Sequence, residues 1–445
     1  MNGLKPSINF VLISAALFSP MSVLAADPGN LRVGAARIDI TPSAKAATGL
    51  RNVWGTAFTG IHDHIYVRAI VIDNGQTSAA LMSIDTSSMP DNLALRRRIE
   101  KETGVPARQI MISTTHGHNA PAPGQTGNSR QRGPESDNFT ATVENSLVDA
   151  VRQAKAHLQP GRMTLAAGHA DLNVNRDEFI GDRWKTGRNR TRPSDKTVWV
   201  LRFDNGAGEP VAFFVNYGVH GLILGPDNTL ITGDLPGSTS RFIESYYQDK
   251  VVALWTPGAA GDQNPVVSSW DLDDVLTRRV REPGEAGFQL SDSYGRLLGE
   301  EAIRAAASAR VASPSISIWS ASRDVTCPGS RYDAQTQKRV DVDPQTLHMD
   351  LLIINNIALA GVAAEVVTSI YYHLKQESPL ADTILVTLNN GRLTYMPDDA
   401  AYDAPIFEVR ASSLKRGCGE NAIVNSFVDM INQRLSMLAG SGSGN

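Results

Sequence analysis

The chain has 445 residues, of which 42% are hydrophobic and 20% charged, with a formal net charge of −4. This is the composition of a globular chain able to bury a core, and the charge is too mild to suggest a nucleic-acid or anionic-membrane partner. The two cysteines, Cys327 and Cys418, cannot form a zinc site by themselves; they pair in an oxidising compartment or are otherwise two buried thiols.

Lys5 supplies a positive n-region, Ile8 to Leu24 an apolar run, and Val23-Leu24-Ala25 a small-residue cleavage site. Residues 1–25 therefore read as a signal peptide and the mature protein as periplasmic or secreted. No later segment holds the roughly 18 apolar residues of a membrane span, so no transmembrane segment is expected in the mature chain. Two apolar runs, Ile65–Asp73 and Ala79–Asp85, flank Asn74-Gly75 as a hairpin. Asn92–Thr103 reads as a helix, and the β-branched run Ile110–Thr115 ends on His116. Val143, Leu147 and Val151 mark the inner face of a further helix. The stretch Asp182–Lys196, with six Arg or Lys residues, reads as a basic loop, either simply solvated or a cationic lip beside a substrate entrance. Val198–Phe203 and Val211–Asn216 are strands, the second stopping just before His220, and Val251–Trp255 is another. Leu351–Ile354 and Ile357–Val362 form a hairpin around Asn355-Asn356, followed by a helix expected from Ala364 with Glu365 at its start. The alternation predicts an α/β fold, a mixed β-sheet core flanked by helices. Residues 26–439 are expected to form one domain and Gly440–Asn445 a flexible Gly/Ser tail.

The chemistry-bearing residues gather where strands end, the usual place for functional groups in α/β folds. His116 and His118 form an H-x-H pair. An extended backbone would bring both imidazoles to one point; two hydrogen-bonded structural histidines are the alternative. His62-Asp63-His64 has the same spacing but no ligand-bearing loop around it. Two histidines and a carboxylate would suit a catalytic zinc with an open position for water, but spacing alone does not choose the carboxylate.

A series of blocks resembles the neutral (alkaline, non-lysosomal) ceramidase family. Val33-Gly34-Ala35-Ala36-Arg37-Ile38-Asp39-Ile40-Thr41-Pro42 is similar to its opening strand, and Ser113–Pro121 to its S-x-T-H-x-H-S-x-P block. Asn173-Val174-Asn175-Arg176, Asn216–His220, Gly233–Gly237 and Gly258–Asp262 follow in the family's order. The resemblance implies a Zn2+ ion held by His116, His220, Glu365 and Tyr395. It implies His118 at the substrate carbonyl or metal-bound water and Arg176 facing the developing oxyanion. Two departures stand out. Asn264 replaces the family's serine in Gly261-Asp262-Gln263-Asn264-Pro265, and Phe407 stands where a second active-site tyrosine is expected. Asn264 can orient a substrate or water but cannot act as a nucleophile. At this length, no counterpart of the family's C-terminal β-sandwich domain is expected in these 445 residues.

The expectation is thus a zinc-dependent hydrolase of an N-acyl amide bond, ceramidase-like but with a small-molecule or lipid-like N-acyl substrate other than ceramide. The alternatives are a zinc esterase or lactonase acting on a small anionic substrate, and a non-catalytic binding protein of the same fold. Nothing in the sequence specifies an oligomeric state.

Overall fold

The computed structural model describes residues 29–124, 133–269, 284–309 and 313–442. The expected signal peptide lies outside the described residues.

In chain order, the first part of the fold consists of β1 (Arg32–Asp39), β2 (Tyr66–Asp73), β3 (Ser78–Ile84), α1 (Leu93–Thr103), β4 (Ile110–Thr114) and α2 (Pro134–Ala156). Next come β5 (Gln159–His169), β6 (Asn173–Ile180), β7 (Arg183–Asn189), β8 (Thr197–Asn205), β9 (Pro210–Tyr217) and α3 (Asp234–Tyr246). β10 (Val252–Pro257), β11 (Gln263–Pro265) and α4 (Glu285–Ser308) follow. The last part holds β12 (Ile318–Asp333), β13 (Lys338–Ile354), β14 (Ile357–Val362), β15 (Glu365–Val366) and α5 (Thr368–Glu377). It ends with β16 (Asp382–Thr387), β17 (Tyr395–Met396), α6 (Phe407–Ala411) and α7 (Gly419–Gly442).

Eight strands form one mixed sheet in the order β10-β9-β8-β5-β1-β2-β3-β4, and four form a second, β12-β13-β14-β16. Strand alternation assigns each face. Val67, Ala69 and Val71 of β2 pack with Val143, Leu147 and Val151 of α2, while Val198 and Val200 of β8 pack with α3 and α4. Alternate residues on those same strands, Ile70, Ile72, Leu201 and Phe203, meet Leu352, Ile354 and Leu359 of the smaller sheet. Leu351 and Ile353 point the other way, onto α5 and α7. The architecture is therefore helices, large sheet, small sheet, helices, as the α/β expectation requires. The large sheet curls until β10 approaches β2, β3 and β4. An isolated bridge, Gly117↔Gly221, joins the segments that leave β4 and β9. Curling is what brings His116 and His220 together from strands far apart in sheet order.

Three local expectations change. Arg183–Asn189 is a strand rather than a loop, paired antiparallel with β6 across Gly181 at φ 72°, with Phe179 opposite Trp184. Its charged residues sit on an exposed ribbon, so no apolar alternation marked it. No helix begins at Ala364. The Glu365 and Val367 amides donate to the Thr394 and Met396 carbonyls, holding an extended β-branched segment. Helix α5 starts only at Thr368, whose amide donates to Asp262 Oδ1 at 2.9 Å. Helix α7 runs through Gly442, so the Gly/Ser stretch begins helical, and residues 443–445 lie outside the described residues.

Cys327 and Cys418 form a disulfide that ties β12 to the start of α7. Among the described residues no helix is long and apolar enough to cross a membrane.

Candidate functional site

Strand β4 ends at Thr114, and the chain turns sharply through His116, which adopts a left-handed φ of 62°. The H-x-H pair is therefore not extended. The turn, rather than a shared strand face, brings the His116 and His118 rings to 4.5 Å. Such a conformation is uncommon for a residue with a side chain and is retained when its surroundings fix it. Here the His116 amide donates to the Thr86 carbonyl at 3.0 Å, and ring Nδ1 lies 2.7 Å from the Ser87 carbonyl. His220 is anchored in the same way, with its amide and its Nδ1 both 3.0 Å from the Gln263 carbonyl.

A carbonyl only accepts, so each Nδ1 donates its proton there and each ring turns its Nε2 inward. These two Nε2 atoms lie 3.1 and 3.3 Å from the same oxygen, Glu365 Oε2. The Arg176 guanidinium donates to His220 Nε2 at 3.3 Å, and Tyr395 Oη lies at the same distance from it. Glu365 and Tyr395 are register partners in the parallel β15–β17 pair, which sets both side chains on one side. The ligand atoms of His116, His118 and His220 lie within 4.8 Å of one another. His118 stacks on Trp54, and its buried Nδ1 has no hydrogen-bond partner among the described residues. Burial pushes the His118 ring well below its usual pKa, and burial with the nearby Arg176 charge pushes His220 down to about 4.

The donor set fits a metal ion. The Nε2 atoms of two imidazoles converge on one carboxylate oxygen, as ligands that share one cation do. A borderline divalent ion such as zinc matches nitrogen and carboxylate donors.

A cavity of about 510 Å3 opens over this cluster, walled by His116, His118, Tyr395, Trp54, Arg392 and Phe407, among others. Arg176 and Asn264 are not on that wall. Arg176 is drawn back by the buried Glu408, 2.7 Å away, and by the Gly261 carbonyl, and lies over the rings of Tyr395 and Phe407. Only its Nη1 faces His220 and, at 3.4 Å, Asn264 Oδ1. Arg176 thus reaches the ligand cluster through Nη1, beside His220 Nε2.

Two features escaped the sequence reading. Burial, and then the neighbouring Glu408, push the Asp177 carboxyl up to about 9, so the Asp177 and Glu408 pair holds a proton at neutral pH. Arg392, three residues before Tyr395, places Nε and Nη2 on Glu365 Oε1 at 3.0 and 2.8 Å. Its only sequence signal was a cation close to a candidate ligand. His62-Asp63-His64 lies apart: Asp63 accepts from Thr232, Gly233 and Arg241, and His62 stacks on Phe288.

The family model for neutral/alkaline non-lysosomal ceramidase, N-terminal, matches residues 31–276. The neutral ceramidase of Oryza sativa subsp. japonica is 26% identical over 321 residues, 66% of this chain and 40% of that protein. The neutral ceramidase of Pseudomonas aeruginosa is 26% identical over 276 residues, 59% of this chain and 41% of that one. The chain thus spans less than half the length of these curated relatives. The crystal structure of the Pseudomonas aeruginosa neutral ceramidase superposes with a TM-score of 0.71 at 18% identity, covering 92% of this chain and 75% of that one. A ceramidase complexed with C2 gives 0.73, also at 18% identity, covering 92% and 76%.

Proposed function

The chain belongs to the neutral/alkaline non-lysosomal ceramidase family, and we propose that it is a zinc-dependent hydrolase that cleaves an N-acyl amide bond with water. The observation that carries this reading is the pair of Nε2 atoms, from His116 and His220, converging on Glu365 Oε2.

His116, His220 and Glu365 would hold the ion, with Tyr395 beside them. Zinc supplies Lewis acidity and brings the pKa of a bound water to about 7. The two backbone carbonyls on the Nδ1 atoms fix the ring orientations, and Arg392 fixes the carboxylate, the supporting contacts such sites depend on. Hydrolysis moves one proton from the attacking water to the leaving nitrogen, and His118, on the cavity wall, is placed to carry it. Arg176 acts through Tyr395 and His220: Glu408 holds its charge behind them, where it stabilises negative charge developing nearby. Asn264 orients Arg176 Nη1. The apolar wall at Trp54, Leu393 and Phe407 suits an acyl chain.

We also place the protein in the periplasm or outside the cell. The apolar segment before Ala26 and the Cys327–Cys418 disulfide both support this. N-terminal sequencing of exported protein should find a start at Ala26 or Asp27; an intact leader on active cytosolic protein would refute it.

Elemental analysis of purified protein should find about one zinc per chain, with the metal lost in His116→Ala. Chelation should abolish hydrolysis of N-acyl amides, and zinc should restore it. A metal-free, fully active wild type would overturn the assignment.

A further inference from the structure

Arg392 supports the Glu365 carboxylate, but its geometry exceeds that task. Nε and Nη2 both bind Glu365 Oε1, the oxygen turned away from the histidines. Nη1 makes no hydrogen bond to any described residue, and the side chain remains 19% exposed on the cavity wall. Apart from the histidines, it is the one ionisable cation among the described wall residues.

The segment that delivers it is strained. Leu388 and Asn390 have φ of 53° and 57°, and Gly391 lies at 152°. Asn390 clamps the turn to β4, accepting from the Ile112 amide at 2.9 Å and donating to the Ile110 carbonyl at 3.1 Å. Non-glycine residues at positive φ, such as Leu388 and Asn390, persist where neighbouring contacts enforce them, so the guanidinium is held in place before any ligand arrives.

A largely desolvated cation facing a cavity is costly to present to a neutral amide, whereas an anion on the substrate recovers the loss through a charge-assisted hydrogen bond. One carboxylate width separates Arg392 from the ligand cluster, so the complementary anion must lie within a few bonds of the scissile carbon. The approach reinforces this selection: the β6–β7 hairpin, exposing Arg183, Lys185 and Arg190, packs Trp184 against Ile406 and Val409 at α6, whose Phe407 and Ala411 line the cavity.

We propose that Arg392 is a specificity residue and that the substrate is an N-acyl amino acid, an amide whose amine half carries a carboxylate next to the scissile nitrogen. Nη1 binds that carboxylate while the Trp54, Leu393 and Phe407 wall takes the acyl chain. This rests on the amide-hydrolase reading above.

Lauric acid release is measured from N-lauroylglycine, from N-lauroylglycinamide and from N-lauroylsphingosine. The zinc-loaded wild type should prefer N-lauroylglycine over the glycinamide by roughly 10- to 100-fold in kcat/KM, the range of one hydrogen bond to a charged group. Arg392→Met should erase that preference by raising KM for N-lauroylglycine alone, beyond any fall in kcat common to all three substrates. Arg392→Lys, which keeps the charge, should retain part of it, and added salt should raise KM for the glycine substrate more in the wild type and Arg392→Lys than in Arg392→Met. Equal losses on all substrates with the preference intact would make Arg392 a support for Glu365 and nothing more. Faster cleavage of the glycinamide or of N-lauroylsphingosine would overturn the substrate class while leaving the hydrolase reading standing. A zinc-loaded enzyme inert on all three would defeat both.

Discussion

The site has two halves built by different parts of the chain. The histidine half, His116, His118 and His220, hangs from the ends of β4 and β9 in the large sheet, each metal-facing ring steadied by a backbone carbonyl. The carboxylate half, Glu365, Arg392, Tyr395 and Glu408, comes from short strands and turns beside the small sheet, and side chains steady its groups. Carbonyl anchoring fixes the ring orientations whatever the substrate, whereas side-chain anchoring leaves room for a group such as Arg392 to select. In the proposed reading the first half would serve the metal, and the second would also set what reaches it.

One buried ion pair bolts the halves together, Arg176 on β6 to Glu408 on α6. Breaking it is the largest perturbation expected. Glu408→Ala leaves a buried guanidinium without its partner, which typically costs about 3–5 kcal/mol. Urea unfolding should show a loss of that size. A loss below about 1 kcal/mol would mean the halves are held by packing alone.

How far each half was legible follows the same division. His116 and His220 were readable because buried strands end two and three residues before them, at Thr114 and Tyr217, and the helix and hairpin faces around them followed from apolar periodicity. Most large-sheet strands and the α/β architecture were therefore expected, although β5 (Gln159–His169) was not. Glu365 was found by resemblance but placed on a helix, because the two-residue strand that holds it is set by distant backbone partners, the Thr394 and Met396 carbonyls. Arg392 depends on a turn of left-handed residues, and Arg176's retreat from the cavity depends on a glutamate 232 residues away. No local pattern encodes either. The strand at Arg183–Asn189 was hidden for another reason, its exposure on both faces.

The second perturbation confines itself to the carboxylate half. Cys327 and Cys418 are 91 residues apart, and a cross-link of this kind typically contributes about 2–4 kcal/mol. The Cys327→Ser, Cys418→Ser double variant should melt at lower temperature and hold zinc less tightly, because β12 and α7 pack around the Glu365 support. An unchanged zinc affinity in a destabilised variant would show that the two properties are separable.

A third effect concerns pH rather than a broken contact. Unfolded, Asp177 loses its proton near pH 4; folded, the Asp177 and Glu408 pair holds a proton up to about 9. Between these values the folded state carries the extra proton, so this group's contribution to stability declines as pH rises. Asp177→Asn keeps a donor for Glu408 and removes the titration. Its melting temperature should fall less than that of the wild type between about pH 5 and pH 9, and parallel profiles would refute the protonated-acid assignment.

The smallest effect is at Asn264, and it decides whether this position is catalytic. The side chain is half-buried on β11, off the cavity wall, and its one contact toward the site is a long 3.4 Å hydrogen bond accepted from Arg176 Nη1. Losing one such neutral acceptor is worth about 0.5–1.5 kcal/mol, so Asn264→Ala should lower kcat only several-fold and leave zinc content unchanged. Asn264→Ser, which restores a hydroxyl acceptor, should recover part of that loss without raising activity above the wild type. Arg176→Ala should cost far more in kcat, because it removes the charge behind Tyr395 and His220 rather than one of its contacts. Suppose instead that Asn264→Ala falls as far as Arg176→Ala at full zinc occupancy. The residue would then touch the reacting atoms, and its place behind His220 would not describe the working enzyme.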